Sequence, residues 1–378
     1  MKILIATDKF KGSLTAFQVC EAIAEGLSKT SADFEIVSLP LSDGGDGLLD
    51  VLNDYATFST HKFVVSDPLF RPVEAGVLLS EDKQTAFIEM ASASGLQLLQ
   101  PHEYNCSITS TFGTGELIKQ ALKLGVSKII LGIGGSATND CGIGLAAALG
   151  YRFLDEEGQE LQPIGGNLGR IQSIDASKAI NTDKIVVQVA CDVTNPLIGE
   201  QGATYIYGPQ KGATEQMLKE LEAGMLSFAE LLKSDLGKDV LSIKGGGAAG
   251  GMGAGCVAFL NAELVSGIEL VFQIADVEKH ISEADLIITG EGKIDAQTLK
   301  GKLIHGITSL SLRYKKPVIA ICGTLALNPE QMKDLGLLSA FSIINRPMSL
   351  EEASENAFGL TSDIAYQLGQ TLRLGRKS

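Results

Sequence analysis

Short β-branched apolar runs alternate with helix-period segments along most of this chain, and that alternation constrains the fold more than any other feature. The clearest runs are Ile3–Thr7, Glu35–Leu39, Lys128–Ile133, Ile185–Cys191, Leu286–Thr289 and Val318–Cys322. Most are apolar throughout, as expected of parallel strands covered by helices on both faces. The helices between them are equally legible. Thr15 and Gln18 are spaced for a capping box ahead of a stripe of Val19, Ile23 and Leu27. Leu218, Leu221, Met225, Phe228 and Leu232 line one face of a long helix near 214–233. Ser349 and Glu352 are placed to cap a C-terminal helix carrying Ala353, Ala357, Leu360, Ile364 and Leu368.

Two stretches break the rhythm. Residues 59–91 read as three consecutive strands, and 150–280 mix strands, the long helix and a glycine-rich run. With 378 residues, the chain exceeds what one core usually serves. The expected architecture is α/β: a flavodoxin-like parallel-sheet domain with an inserted second α/β domain. The first is assigned residues 1–58, 112–148 and 280–378, and the second 59–111 and 149–279. A cleft between two such domains is a usual place for a small-molecule site.

Composition narrows the function. A net charge of −14 and the lack of any Lys/Arg run argue against nucleic acid as a partner. No uninterrupted apolar stretch reaches ~18 residues, so no membrane span is expected. The opening MKILIATDKF reads as a buried strand and not as a signal peptide. Six cysteines without a CxxC pair fit thiols in a reducing cytoplasm, and four scattered histidines make no metal cluster.

The 43 glycines concentrate at strand-to-helix junctions. The first such loop carries Asp8, Lys9, Lys11 and Gly12, where open α/β sheets bind ligands. A second, Ser42–Gly47, sets Asp43 and Asp46 among three glycines, suiting a metal or polyol as well as a plain turn. The third, Gly132–Asp140, offers Gly134, Gly135, Ser136, Thr138 and Asn139 ahead of the helical GIGLAAALG, a phosphate cradle in mechanism. It is neither a Walker A loop nor a complete GxGxxG. A fourth ends a strand in Asp192 and Asn195, and Lys211 follows in GPQKGA. The fifth, Gly245–Gly255, is the densest in glycine and includes Gly250, Gly251 and Gly253. Such density implies close backbone approach to a ligand, a mobile lid or a flexible connector. The sixth alternates Glu291, Lys293 and Asp295 beside two glycines, with Lys300 following. Carboxylates for Mg²⁺, lysines and backbone N–H groups for phosphate, and an acid to orient an alcohol are the ingredients of phosphoryl transfer.

At these residues the chain resembles the bacterial glycerate kinase type-1 family. The matching stretches are DKFKGSLTA, LPLSDGGDG, IEMASASGL, TSTFGTGELI, LGIGGSATND, ACDVTNPL, GPQKGA, GAAGGMGAG and ITGEGKIDAQTLKGK, in the family's order over residues 8 to about 302. The resemblance implies transfer of the γ-phosphoryl of ATP to D-glycerate, 2-phosphoglycerate favoured as product, with Mg²⁺ as cofactor. Phe70 and Cys141 stand where family members usually carry glycine.

Under that reading Asp192, then Asp43, is the acid facing the hydroxyl, and Lys11 assists. Lys9, Arg71, Asp46 and Asn139 contact glycerate. Gly134, Gly135, Ser136, Thr138, Gly250, Gly251, Gly253, Lys293 and Lys300 meet the nucleotide, and Glu291 and Asp295 take Mg²⁺. An NAD-dependent dehydrogenase of a small hydroxy acid and a non-enzymatic ligand-sensing α/β protein are the alternatives. A homodimer is left open.

Overall fold

The computed structural model describes residues 1–30, 33–41, 58–295, 298–300 and 303–374. The chain divides into two compact units, one formed by Met1–Tyr55 with Gly267–Ser378 and the other by Ala56–Ser266. The strands, in chain order, are β1 (Lys2–Thr7), β2 (Glu35–Pro40), β3 (Phe58–Ser66), β4 (Pro72–Ser80), β5 (Thr85–Glu89), β6 (Lys128–Gly132), β7 (Arg152–Leu154), β8 (Ser173–Asp175), β9 (Val186–Ala190), β10 (Glu263–Val265), β11 (Leu286–Ile294), β12 (Val318–Leu325) and β13 (Ser339–Ser342).

In the first unit the sheet order is β13-β12-β11-β1-β2, every pairing parallel. Counted within the unit this is the 2-1-3-4-5 flavodoxin-like order. Ile3, Ile5, Ile288 and Ile321 form the buried sheet core, packed by Val19, Ile23 and Leu27 from the helix Ala16–Ser28. That helix starts with the expected capping box: Gln18 N donates to Thr15 Oγ1, and Thr15 N to Gln18 Oε1. The C-terminal helix is split at Asn356, into Leu350–Glu355 capped by Ser349 and Ala357–Leu374.

The second unit holds a six-stranded sheet, β10-β9-β6-β5-β4-β3. Strands β3, β4 and β5 form an antiparallel meander, as the three consecutive runs implied, and β5, β6, β9 and β10 are parallel. The long helix runs Glu215–Leu236, capped by Thr214, and buries Leu221, Met225, Phe228 and Leu232.

Two boundaries differ from expectation. Residues 112–148, expected in the first domain, carry β6, which pairs with β5 and β9 in the second unit. Residues 267–279 go the other way, into the first unit. A lone parallel strand carries no label for its sheet, because any covered face accepts the same apolar run. The insertion is therefore one continuous segment.

Candidate functional site

In the first unit, β1 lies between β2 and β11, where the winding of the sheet reverses. Ligands of open α/β sheets bind outside the carboxyl ends of strands at such a switch point. The chain after β1 supplies Asp8, Lys9 and Lys11 there, and the end of β11 supplies Glu291, Lys293 and Asp295. The two segments touch: Asp8 N donates to Gly290 O at 2.8 Å, and a Cβ on Gly292 would lie 3.1 Å from Lys11 N. Asp8 is buried and its carboxylate accepts from Lys9 N at 2.7 Å, while Lys11 is exposed. By residue type Glu291 and Lys293 suit a loop. They belong to the strand, in register with Cys322 and Thr324 of β12.

The carboxylates of this segment are held by their neighbours. Thr298 Oγ1 donates to Glu291 Oε1, and Lys293 Nζ lies 3.0 Å from Asp295 Oδ2. Lys300 ends the short turn Thr298–Lys300. Asp43 and Asp46 lie outside the described residues. Among the described residues no group of three or more His, Cys, Asp or Glu is arranged to hold a metal ion.

The second unit aligns three strand ends, Glu89, Gly132 and Ala190, in adjacent register. The loop after Gly132 has an exposed tip at Gly134 and Gly135, with Gly135 at φ 69°. Beyond the tip the chain turns inward, and Ser136 through Asp140 are all buried. Thr138 and Asn139, expected to face ligand, are fully buried. Asn139 Nδ2 instead donates to Thr204 Oγ1 at 3.2 Å. Thr138 Oγ1 and Asn139 Oδ1 have no hydrogen-bond partner.

The helix after this loop was expected to offer its N-terminus to phosphate. It spans only Ile143–Ala148, and its entry amides are already taken. Gly142 N donates to Asp140 Oδ1, Gly144 N to Asp140 Oδ2, and Leu145 N to Thr111 Oγ1. Asp140 Oδ2 also accepts Thr111 N and Oγ1, both at 2.8 Å. Thus an internal carboxylate satisfies the positive helix end. Burial outweighs these four donors and pushes the Asp140 carboxyl above its ordinary range.

The glycine run is also turned inward. Added Cβ atoms would fall 2.0 Å from Thr138 O at Gly250, 3.0 Å from Cys141 Cα at Gly251 and 2.3 Å from Gly245 O at Gly253. All three are buried. The close approach inferred from glycine density exists, but the approaching backbone is the chain's own. The helix Ala248–Leu260 opens with Ala249, Gly250 and Gly251 in left-handed conformation.

Asp192 is exposed just beyond the end of β9. Arg71 is engaged: Nε donates to Asp67 Oδ2 and Nη1 to Glu103 Oε1, each at 2.6 Å, with Nη2 to Glu103 Oε2 at 3.4 Å. Two N–H groups are left for another acceptor. Lys211, given no role on sequence grounds, is the most buried cation of this unit, with Nζ donating to Ser136 Oγ and Thr138 O at 2.7 Å each. In sequence only the turn is signalled, and Pro209–Lys211 form a short 3-10 helix ended by Gly212 at φ 86°.

Two α/β units on largely parallel sheets, with glycines, carboxylates and lysines at their strand ends, define the class. The model of the glycerate kinase family matches residues 3–373, and the chain belongs to that family. It is 45% identical to the glycerate kinase of Halalkalibacterium halodurans over 97% of both chains. It is 42% identical to the glycerate 2-kinase of Escherichia coli (strain K12) over 100% of both. A solved Salmonella typhimurium LT2 chain assigned as glycerate kinase 2 superposes with a TM-score of 0.87, at 43% identity over 100% of both chains. No helix among the described residues is long and apolar enough to cross a membrane. The dehydrogenase and sensor readings find no support in these relatives.

Proposed function

We propose that the chain transfers the γ-phosphoryl group of ATP to the 2-hydroxyl of D-glycerate, giving 2-phosphoglycerate and ADP. The full-length likeness to the E. coli glycerate 2-kinase carries this reading. The six unpaired thiols fit work in a reducing cytoplasm.

Exposed Asp192 is the acid that orients the attacking hydroxyl and accepts its proton at a carboxylate oxygen. Lys9 and Lys11, at the switch point of the first unit, supply positive charge for the anionic reactants. Lys293 does the same from β11. The exposed Gly134–Gly135 backbone offers N–H groups to phosphate oxygens. The donor set at the end of β11 fits Mg²⁺, which favours one or two carboxylates completed by water and substrate phosphates. Glu291 and Asp295 would hold it, and the ion would neutralise charge on the phosphates. Lys293, 3.0 Å from Asp295, limits the negative charge of that pair before any cation arrives.

The test is ATP consumption that depends on D-glycerate, run beside glycerate-dependent NAD reduction, with the product resolved by NMR. Glycerate-dependent ADP formation with phosphorus on C2 is expected. A product phosphorylated on C3 would overturn the regiochemistry, and NAD reduction without ATP use would overturn the kinase reading.

A further inference from the structure

A buried ammonium needs a reason, because removing it from water is costly unless its surroundings repay the loss. Lys211 is 2% exposed, and its two hydrogen-bond acceptors, Ser136 Oγ and Thr138 O, are neutral oxygens. Its backbone is equally committed. The Lys211 carbonyl accepts from Cys106 N at 3.1 Å. Gly212 follows at φ 86°, where a Cβ would lie 2.0 Å from Tyr104 O. Lysine and turn are thus fixed against the 104–106 segment.

The loop that Lys211 grips is fixed along its length. Leu96 N donates to Gly135 O and Ala137 N to Ser94 O, each at 2.9 Å, and Thr109 Oγ1 donates to Ala137 O. Only the tip at Gly134 and Gly135 reaches solvent. Thr138 Oγ1 and Asn139 Oδ1, just beyond, are buried without a partner, so the segment was not shaped for its own hydrogen bonding alone.

We propose that Lys211 is a positioning residue for the nucleotide-phosphate loop, holding Ser136 and the Thr138 carbonyl so that the Gly134–Ser136 segment presents donors to an anion. The proposal rests on the kinase reading above. Because Ser136 Oγ accepts from the ammonium, the Ser136 hydroxyl hydrogen is left to donate elsewhere. The ammonium also places a positive charge behind the loop, in a poorly screened interior. Lys211 itself does not touch the ligand. The titratable groups that act on it are Asp140 and the Cys106 thiol, each favouring the ammonium when ionised, and burial lowers its pKa to about 8 despite them. The loop therefore loses its supporting charge just above neutral pH.

The experiment measures steady-state constants for ATP and D-glycerate from pH 7 to 9 in the parent chain, Lys211→Met, Lys211→Arg and Ser136→Ala. The parent is expected to show KM for ATP rising several-fold across that range. Lys211→Met should raise KM for ATP at least tenfold at pH 7, leave KM for glycerate within threefold, and flatten the pH response. Ser136→Ala should move KM for ATP in the same direction by less, and Lys211→Arg should recover part of the loss. A KM for ATP in the parent that is level from pH 7 to 9 overturns the proposal even if no variant folds. So does a folded Lys211→Met with KM for ATP within twofold of the parent. A parent that never turns over ATP with glycerate sinks the kinase reading itself, which the other two outcomes leave standing.

Discussion

Asp140 should be among the largest stability determinants of the second unit, and the two obvious substitutions should separate widely. Its carboxylate is fully buried and accepts four hydrogen bonds, from Thr111 N, Thr111 Oγ1, Gly142 N and Gly144 N. Asp140→Ala leaves three backbone N–H groups and one hydroxyl without an acceptor. At about 1–3 kcal/mol for each orphaned buried donor, less what entering water restores, the loss is about 4–6 kcal/mol. Asp140→Asn keeps one oxygen where Oδ2 stood, able to accept three of the four bonds. Its amide then faces Gly142 N, so one bond is lost. In return the buried charge disappears, and burial raises this carboxyl's pKa, which means the neutral form is favoured in the fold. The sign follows from linkage. With the folded pKa above the unfolded ~3.9, the stability this group contributes is fully present below that value and is lost as pH rises through the folded pKa. The charged form is therefore the costly one in the fold, and asparagine should cost no more than about 2 kcal/mol. Urea unfolding at an unchanged m-value, with hydrogen exchange of peptides covering 109–149, reads the difference. Alanine and asparagine variants with equal midpoints would refute the reasoning, since the donors would then not depend on an oxygen at that position.

Asp192→Asn should lower kcat by roughly 10²- to 10⁴-fold while ATP still binds, and near-normal kcat in that variant removes Asp192 from the role. Gly250→Ala should cost about 3 kcal/mol or more, because its φ is 73° and its Cβ would fall 2.0 Å from Thr138 O. A melting temperature unchanged from the parent would contradict that packing. Ala249→Gly, at φ 54°, should instead stabilise by about 0.5–1 kcal/mol, the left-handed penalty of alanine exceeding the entropy cost of glycine. Lower stability than the parent in thermal melts would count against it. Lys211, with a folded pKa of about 8, binds its proton less tightly than in the unfolded chain. Stability should therefore rise as pH goes from about 8 to about 10, by about 3 kcal/mol, and the difference between parent and Lys211→Met isolates this from other titrations. A constant difference across that range would exclude a buried, titrating lysine.

Periodicity made most of the fold legible. The strand Ile3–Thr7, the meander after residue 58, the Thr15 capping box and the stripe of the long helix all came from local rules about burial and caps. What those rules could not carry was sheet membership. The apolar run of β6 suits either sheet, and only its pairing with β5 and β9 decides. Strand length failed for a related reason. Glu291 and Lys293 look like loop chemistry, yet β12 extends alongside and keeps them in the ladder.

Gly290 and Gly292 stand at the switch point beside the Asp8–Lys11 segment, yet Cβ atoms there would fall 2.2 Å from Ile321 O and 3.1 Å from Lys11 N, so these glycines admit the chain's own backbone. Gly250, Gly251 and Gly253 satisfy the same sequence criterion and serve the chain's own backbone. A missing Cβ records that something approaches closely, and it does not record what. Charge resolves the ambiguity better than glycine does. Lys211 sits behind a loop whose two most exposed residues are glycines, and its ammonium meets only neutral oxygens. Asp140 is the nearby carboxylate that acts on that charge, and an anion at the loop tip would add to it. The same loop with an apolar residue at 211 would pack at less electrostatic cost, so the presence of lysine there is the stronger sign of an anionic ligand.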